Sequence, residues 1–306
     1  MIIAVFPGQG SQTPGFLSPW LEMDGTRERL AEASEHAGVD LLAAGTEWDA
    51  DRIRDTSVAQ PLIVAASLLS WNVLRDRAGR GADGIAGHSV GEFAALAASG
   101  VLSEADALRL VGIRGRAMAE AAAAVETGMS AVVGGDEQTV LDRLADLGLT
   151  PANYNGGGQI VAAGELSALA DLAAEAPRGS RVIALQVAGA FHTRFMEPAV
   201  ETLRVAAADV TASTPETTLW TNSDGSVVDD GRRAVDLVVS QVASPVRWDL
   251  SMSSFAEHGV TGIIELAPAG ALTGLAKRAL RGTPIVAVKT PDDLDAAVAL
   301  LKGEQA

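Results

Sequence analysis

Hydrophobic positions fall into two patterns along this chain, short unbroken blocks and stripes at helical spacing. The first block, IIAVF at 2–6, is apolar throughout, as in a strand of a parallel sheet covered on both faces. A glycine-rich loop, PGQGSQTPG, follows it. Helical spacing then recurs around 27–36, 58–76, 92–99 and 103–123, with strand-like runs such as ADGIAG in between. This alternation predicts an α/β fold.

The middle of the chain changes character. TGMSAVVGGD (127–136) reads as a strand and EQTVLDRLADLG (137–148) as a helix. PANYNG and QIVAAG read as a hairpin around 156–158, LSALADLAAEAP as a second helix, and RVIALQV (181–187) as a closing strand. The order β-α-β-β-α-β is the ferredoxin-like signature. It places an inserted subdomain at 127–187 and leaves a core made of 1–126 and 188–306. The core resumes with strands TLWTN and GIIEL and the helix ALTGLAKRAL.

Composition narrows the class. The chain has 306 residues, 48% hydrophobic and 20% charged, enough for a large core and too apolar for disorder. No apolar run approaches the roughly 20 residues of a membrane span. The start, MIIAVFPGQG, lacks a basic n-region and is too short for a signal peptide, so a cytoplasmic protein is expected. There is no cysteine, which excludes disulfides, thiolate nucleophiles and Cys-ligated metals. His36, His88, His192 and His258 show no metal spacing, so no metal site is expected. A net charge of −16 argues against nucleic acid and anionic membrane as partners. An acidic partner would need a local basic patch. GLAKRALRG offers Lys277, Arg278 and Arg281, though such a run is more often a solvated helix face.

The stretch GIAGHSVGEFAALAASG (84–100) frames Ser89 between Gly87 and Gly91. G-x-S-x-G is the strand-to-helix turn that lifts a serine hydroxyl out of a sheet. With 32 glycines in the chain, chance supplies this pattern about once in five such sequences, so the context decides. PGQGSQT has Gly8 and Gly10 but Thr13 where a dinucleotide fingerprint needs its third glycine, and G-K-[ST] is absent from the chain. The loop fits better as one half of an oxyanion hole, with the main-chain N–H of Val90 as the other half.

A nucleophilic Ser89 needs a proton acceptor. His88 precedes it on the turn, where neighbouring side chains diverge. His36 lies in a surface helix, and His258 sits at a helix end where an imidazole can plug the last carbonyls. His192, in QVAGAFHTRFMEPA, stands at an apolar strand-to-helix junction and is the best partner. No acidic residue is evident as a third member, and a backbone carbonyl could orient the ring instead. In the helix SEADALRLVGIRGRAMAEAAA, capped by Ser103, Arg114 shares a stripe with Ala107, Val111 and Met118, whereas Arg109 and Arg116 lie opposite. A guanidinium there needs either a buried acidic partner or a substrate carboxylate. Periodicity favours the first, and function the second.

PGQGSQ, VAQP, GHSVGE, RGRAM, PANYNG, GAFHT, QVASPVRW and APAGALTGLAKR occur in this order. Together they resemble the malonyl-CoA:acyl carrier protein transacylase family nearly end to end, with the character of its actinobacterial members. The resemblance implies an α/β-hydrolase-like core with a parallel sheet and a ferredoxin-like insertion. It implies that Ser89 is acylated, that His192 is its base, and that the main-chain carbonyl of Gln241 orients the imidazole. Gln9 and Val90 would form the oxyanion hole. Arg114 would bind the malonyl carboxylate, Gln60 and Met118 would line the pocket, and Asn155 and Asn222 would stand close by. Val90 and the run Ala190-Phe191-His192 resemble malonyl-selecting acyltransferases, with Phe191 filling the space that a 2-methyl group needs. A methyl is worth only about 1–3 kcal/mol in such a pocket.

The activity implied is transfer of malonyl from malonyl-CoA to the thiol of an acyl carrier protein, for fatty-acid or polyketide synthesis, with no metal or redox cofactor and a monomer at family level. The same elbow and histidine would also serve a serine thioesterase or esterase. A silent docking module of a larger synthase is the third class, and the intact Ser89, His192 and Arg114 speak against it.

Overall fold

Ile2–Phe6 forms strand β1, and its alternation is realised as two buried faces. Ala4 and Phe6 join one core cluster, Ile3 and Val5 another. The computed structural model describes residues 1–304, so positions 305–306 of the expected core lie outside the described residues. Ten more strands follow in it: β2 (Gly84–Gly87), β3 (Thr127–Gly134), β4 (Thr150–Gly156), β5 (Gln159–Glu165), β6 (Ser180–Ala184), β7 (Thr218–Trp220), β8 (Val227–Val228), β9 (Val246–Arg247), β10 (Gly262–Glu265) and β11 (Ile285–Ala287).

The larger sheet has the order β11-β10-β1-β2-β7-β8 and is parallel except for β8 at its edge. In it β1, β2 and β7 are neighbours, with Phe6 opposite Gly87 and Ala86 opposite Trp220. Their carboxyl ends therefore emerge side by side, which is where parallel sheets present ligand sites. The smaller sheet has the order β6-β3-β5-β4-β9. Its first four strands are antiparallel in the ferredoxin-like arrangement and enclose a core of their own, including Val132, Leu144, Ile160 and Leu172. The fold class is α/β, a hydrolase-like core with a parallel sheet and a ferredoxin-like insertion. One strand crosses the expected boundary, since β9 lies outside 127–187 yet pairs in parallel with β4.

Three sequence expectations need adjustment. The strand expected over 181–187 ends at Ala184. Leu185 makes one last bond to Met129, and Gly189 then closes against Ala122, where a Cβ would come within 2.7 Å. The strand expected over 127–136 ends at Gly134, because Gly134 and Gly135 both take positive φ. The third concerns membranes. Helix Thr56–Ala78 has 23 residues and a window of mean hydropathy 1.4, so by length and composition it could cross a bilayer. Its uncharged polar residues interrupt the apolar run without lowering its hydropathy enough. Of that window 83% is buried inside the fold, which marks a core helix.

The elbow depends on two glycines. A Cβ on Gly91 would lie 2.2 Å from the Phe6 carbonyl oxygen, and one on Gly87 would lie 2.2 Å from the Gly91 backbone. Gly91→Ala is expected to lower unfolding free energy by about 2 kcal/mol or more, since backbone must move to admit the methyl. Denaturant unfolding measures this, and an unchanged midpoint would show that β1 and the elbow can separate without strain.

Candidate active site

Ser89 sits between β2 and the helix Gly91–Ala98 with φ 52, and His192 has φ 61. Such positive φ is strained for residues with a Cβ and persists only where the surroundings hold it. For Ser89 the holder is Asn222, carried just beyond β7. Its Oδ1 accepts the Ser89 N–H at 2.7 Å, and its Nδ2 donates to the Gly87 carbonyl at 2.5 Å. For His192 the holder is a tight turn in which Thr127 Oγ1 accepts the Ala190 N–H at 3.0 Å and Thr193 Oγ1 donates to Ala190 O at 2.6 Å.

The two side chains meet. Ser89 Oγ lies 2.8 Å from His192 Nε2, and His192 Nδ1 lies 2.8 Å from the Gln241 main-chain oxygen. A carbonyl only accepts, so Nδ1 carries the proton and Nε2 offers its lone pair to the hydroxyl. Burial, and then the charge of Arg114, push the His192 pKa down to about 3, which keeps the imidazole neutral. The Ser89 amide is taken by Asn222, whereas the amides of Gln9 and Val90 are free. Neither makes a hydrogen bond among the described residues. Gln9 follows β1 and Val90 follows β2, so the adjacent strands bring both loops to one place.

Arg114 is 1% exposed. Its Nη2 donates to Gln241 Oε1 at 3.2 Å, and its Nε has no partner. Burial lowers its pKa to about 10, so it remains a cation at neutral pH. Met118 is one turn further along the same helix and touches the Gln60 amide, with Nε2 at 3.5 Å from Sδ. Gln60 Oε1 is buried without a partner. Phe191 is buried beside the histidine. Asn155 does not reach Ser89. Its Oδ1 accepts from His88 Nε2 at 3.0 Å, and its Nδ2 donates to Gln159 at 2.8 Å. His88 thus points away from the hydroxyl and supports the loop after β1, where a Cβ on Gly8 would meet its Nδ1 at 2.9 Å. His258 binds the Ser254 carbonyl through Nδ1 at 2.8 Å, as a helix-end plug does.

The acyl transferase domain family matches residues 3–300. The chain belongs to the acyl transferase domain family. A malonyl CoA-acyl carrier protein transacylase of Mycobacterium tuberculosis is 52% identical over 298 residues, 96% of this chain and 98% of that protein. The crystal structure of MCAT from the same organism has a TM-score of 0.94 at 52% identity, covering 97% of this chain and 100% of that one. A type II PKS acyl-carrier protein in complex with its malonyl-transacylase matches with a TM-score of 0.92 at 30% identity, over 98% of this chain and 99% of the matched chain.

One group in the acyl transferase site escaped sequence reasoning. Glu92, 6% exposed, accepts the Asn222 N–H at 2.7 Å through Oε1 and binds the Gln241 side-chain amide through Oε2. Its signal was present, as the one charge in the apolar run GEFAALAA, three residues after the serine. It is not bonded to the histidine: the Gln241 side chain stands between them, and the Gln241 carbonyl orients the ring. A hollow of about 340 Å3 bordered by Arg29, His36, Arg75 and Glu104 holds none of these residues.

The depressed His192 pKa has a measurable consequence. With acetyl-CoA, which carries no carboxylate, the rate of serine acylation should vary less than about threefold between pH 8 and pH 5, because the free base persists. A tenfold loss per pH unit below 6.5, the ordinary histidine value, would show that the ring titrates as if exposed.

Proposed function

We propose that this acyl transferase moves a malonyl group from malonyl-CoA to the phosphopantetheine thiol of an acyl carrier protein through a malonyl-Ser89 intermediate. The observation that carries the reading is the pairing of an activated serine with a buried guanidinium that is only partly satisfied. His192 Nε2 takes the Ser89 proton as Oγ attacks the thioester carbonyl, and the Gln9 and Val90 amides stabilise the oxyanion. The C–S bond breaks, and coenzyme A leaves with the proton from His192. The carrier thiol then gives its proton to His192, attacks the ester, and regenerates Ser89. Every step uses side chains and main-chain amides, and the reading needs no metal or redox cofactor.

Arg114 selects the acyl group by holding its carboxylate, and its unpartnered Nε supports a two-pronged contact. A bound carboxylate also cancels the charge that opposes protonation of His192. The malonyl group thereby assists its own transfer. Phe191, on this reading, occupies the space that a 2-methyl branch would need, a preference worth only about 1–3 kcal/mol. A groove of about 370 Å3, bordered by Gln9, Gly10, Arg54 and 184–187, opens at the oxyanion loop and suits a pantetheine arm. Lys277, Arg278 and Arg281 are exposed, and Arg278 packs on Gly157, a face suited to an acidic carrier. The reading places the enzyme in the cytoplasm as a monomer, with no nucleic-acid or membrane partner, in keeping with its charge of −16.

Intact-protein mass after brief mixing with malonyl-CoA tests the intermediate. A malonyl adduct is expected on the wild type and absent from Ser89→Ala, and added carrier protein should discharge it. Free malonate released without any carrier would identify a hydrolase instead, and no adduct with no turnover would indicate a silent module. Arg114→Ala should lower kcat/KM for malonyl-CoA by about 10²- to 10³-fold, the usual loss on truncating a buried charge pair. Preference should move toward acetyl-CoA, and unchanged malonyl selectivity would remove Arg114 from the role.

A further inference from the structure

Glu92 has no part in the transfer chemistry above, yet it is tied to both residues that define it. Its Oε2 binds the Gln241 side-chain amide, and Gln241 Oε1 accepts from Arg114 Nη2 at 3.2 Å. Carboxylate and guanidinium are thus the two ends of one amide bridge. Among the described residues no carboxylate oxygen comes within 4.0 Å of that guanidinium. The other polar groups against Glu92 are the Asn222 N–H and the Thr221 hydroxyl, and the remaining surround is apolar, with Ala95, Leu219, Trp220 and Val238. Of the groups facing it from these elements only Arg114 is charged. His192 lies beyond Gln241, its ring bonded to the Gln241 main chain.

Resting on the reading of Arg114 as the carboxylate clamp, we propose that Glu92 is a positioning residue that balances this guanidinium in the empty site and takes up a proton when an acyl carboxylate binds there. The empty site holds one buried cation and one buried carboxylate, linked through Gln241. An arriving malonyl carboxylate makes two anions share one cation in a low-dielectric site, and two such groups cannot both stay ionised cheaply. The malonyl oxygens sit on the guanidinium itself, whereas Glu92 meets it only through an amide, so Glu92 is the one that yields. Burial already pushes its pKa up to about 7, against the opposing pull of Asn222, Thr221, Arg114 and Gln241. The proton comes from solvent and can be donated to Thr221 Oγ1, which leaves the bond to Gln241 in place. No bond of the acyl transfer changes. An acyl group without a carboxylate does not trigger the uptake, so malonyl binding is pH-linked where acetyl binding is not.

Calorimetric titration of malonyl-CoA into Ser89→Ala protein at pH 8, in two buffers of different ionisation enthalpy, counts the protons taken up. About 0.5–1 proton per site is expected with malonyl-CoA beyond that seen with acetyl-CoA, which corrects for the nucleotide phosphate. In the double variant Ser89→Ala/Glu92→Gln this excess should vanish, and malonyl-CoA affinity, which should weaken severalfold from pH 7.5 to 8.5 in the single variant, should become flat. No excess uptake, or the same uptake in the double variant, overturns the proposal, the second outcome assigning the proton to another group such as His192. Should Glu92→Gln not fold, His192→Ala in the Ser89→Ala background decides: uptake retained supports Glu92, and uptake lost overturns it. Failure of malonyl-CoA to bind, with no adduct on the wild type, would overturn the malonyl reading itself along with this proposal.

Discussion

A guanidinium taken out of water carries a penalty of several kcal/mol unless its surroundings answer it, and Arg114, 1% exposed, sets that demand at the centre of this site. The answer is incomplete by design of the fold. One nitrogen reaches Gln241, Glu92 balances the charge at one remove, and Nε is left over. The same cation, together with burial, holds His192 neutral and ready to accept a proton. The pull on any anion that enters the site and the neutrality of the imidazole therefore have a common electrostatic origin. Gln241 joins them, with its main chain on His192 and its side chain between Glu92 and Arg114.

Geometry supplies the second half of the chemistry. Ser89 and His192 are two of the three non-glycine residues with positive φ among the described residues, each a conformation that costs on the order of 1–3 kcal/mol. For Ser89 that cost is met at the carboxyl end of the larger sheet, where the neighbouring strands β1, β2 and β7 bring the Gln9 loop, the elbow and the Asn222 clamp together, and for His192 by the turn that Thr127 and Thr193 tie. The larger sheet is thus a jig for three loops.

The inserted subdomain shares in this arrangement. Asn155, from β4, binds His88 on the elbow, and β9 from the main chain of the core extends the smaller sheet beside it. Arg247 of β9 lies over the Tyr154 ring at 4.5 Å and pairs with Asp249. The insertion is therefore tied to the elbow, and its shift would be felt at His88, the residue before Ser89.

Local pattern made much of this legible. IIAVF announced a two-faced buried strand, GHSVG the elbow, Ser103 a helix cap that does accept the Asp106 N–H at 3.0 Å, and the stripe through Arg114 a buried cation. These features are set within a few residues by sterics and periodicity, and sequence carries them directly. Glu92 shows locally only as one charge in an apolar helix, because its partners Asn222 and Gln241 lie 130 and 149 positions away. Likewise a run of uncharged residues at 56–74 looks the same whether it faces lipid or protein. What sequence alone determined is which groups are present and which local turns present them. Which charge meets which, and hence how strongly each holds its proton, was decided only in the folded chain, because electrostatic energy depends on separation in space and on shielding from water.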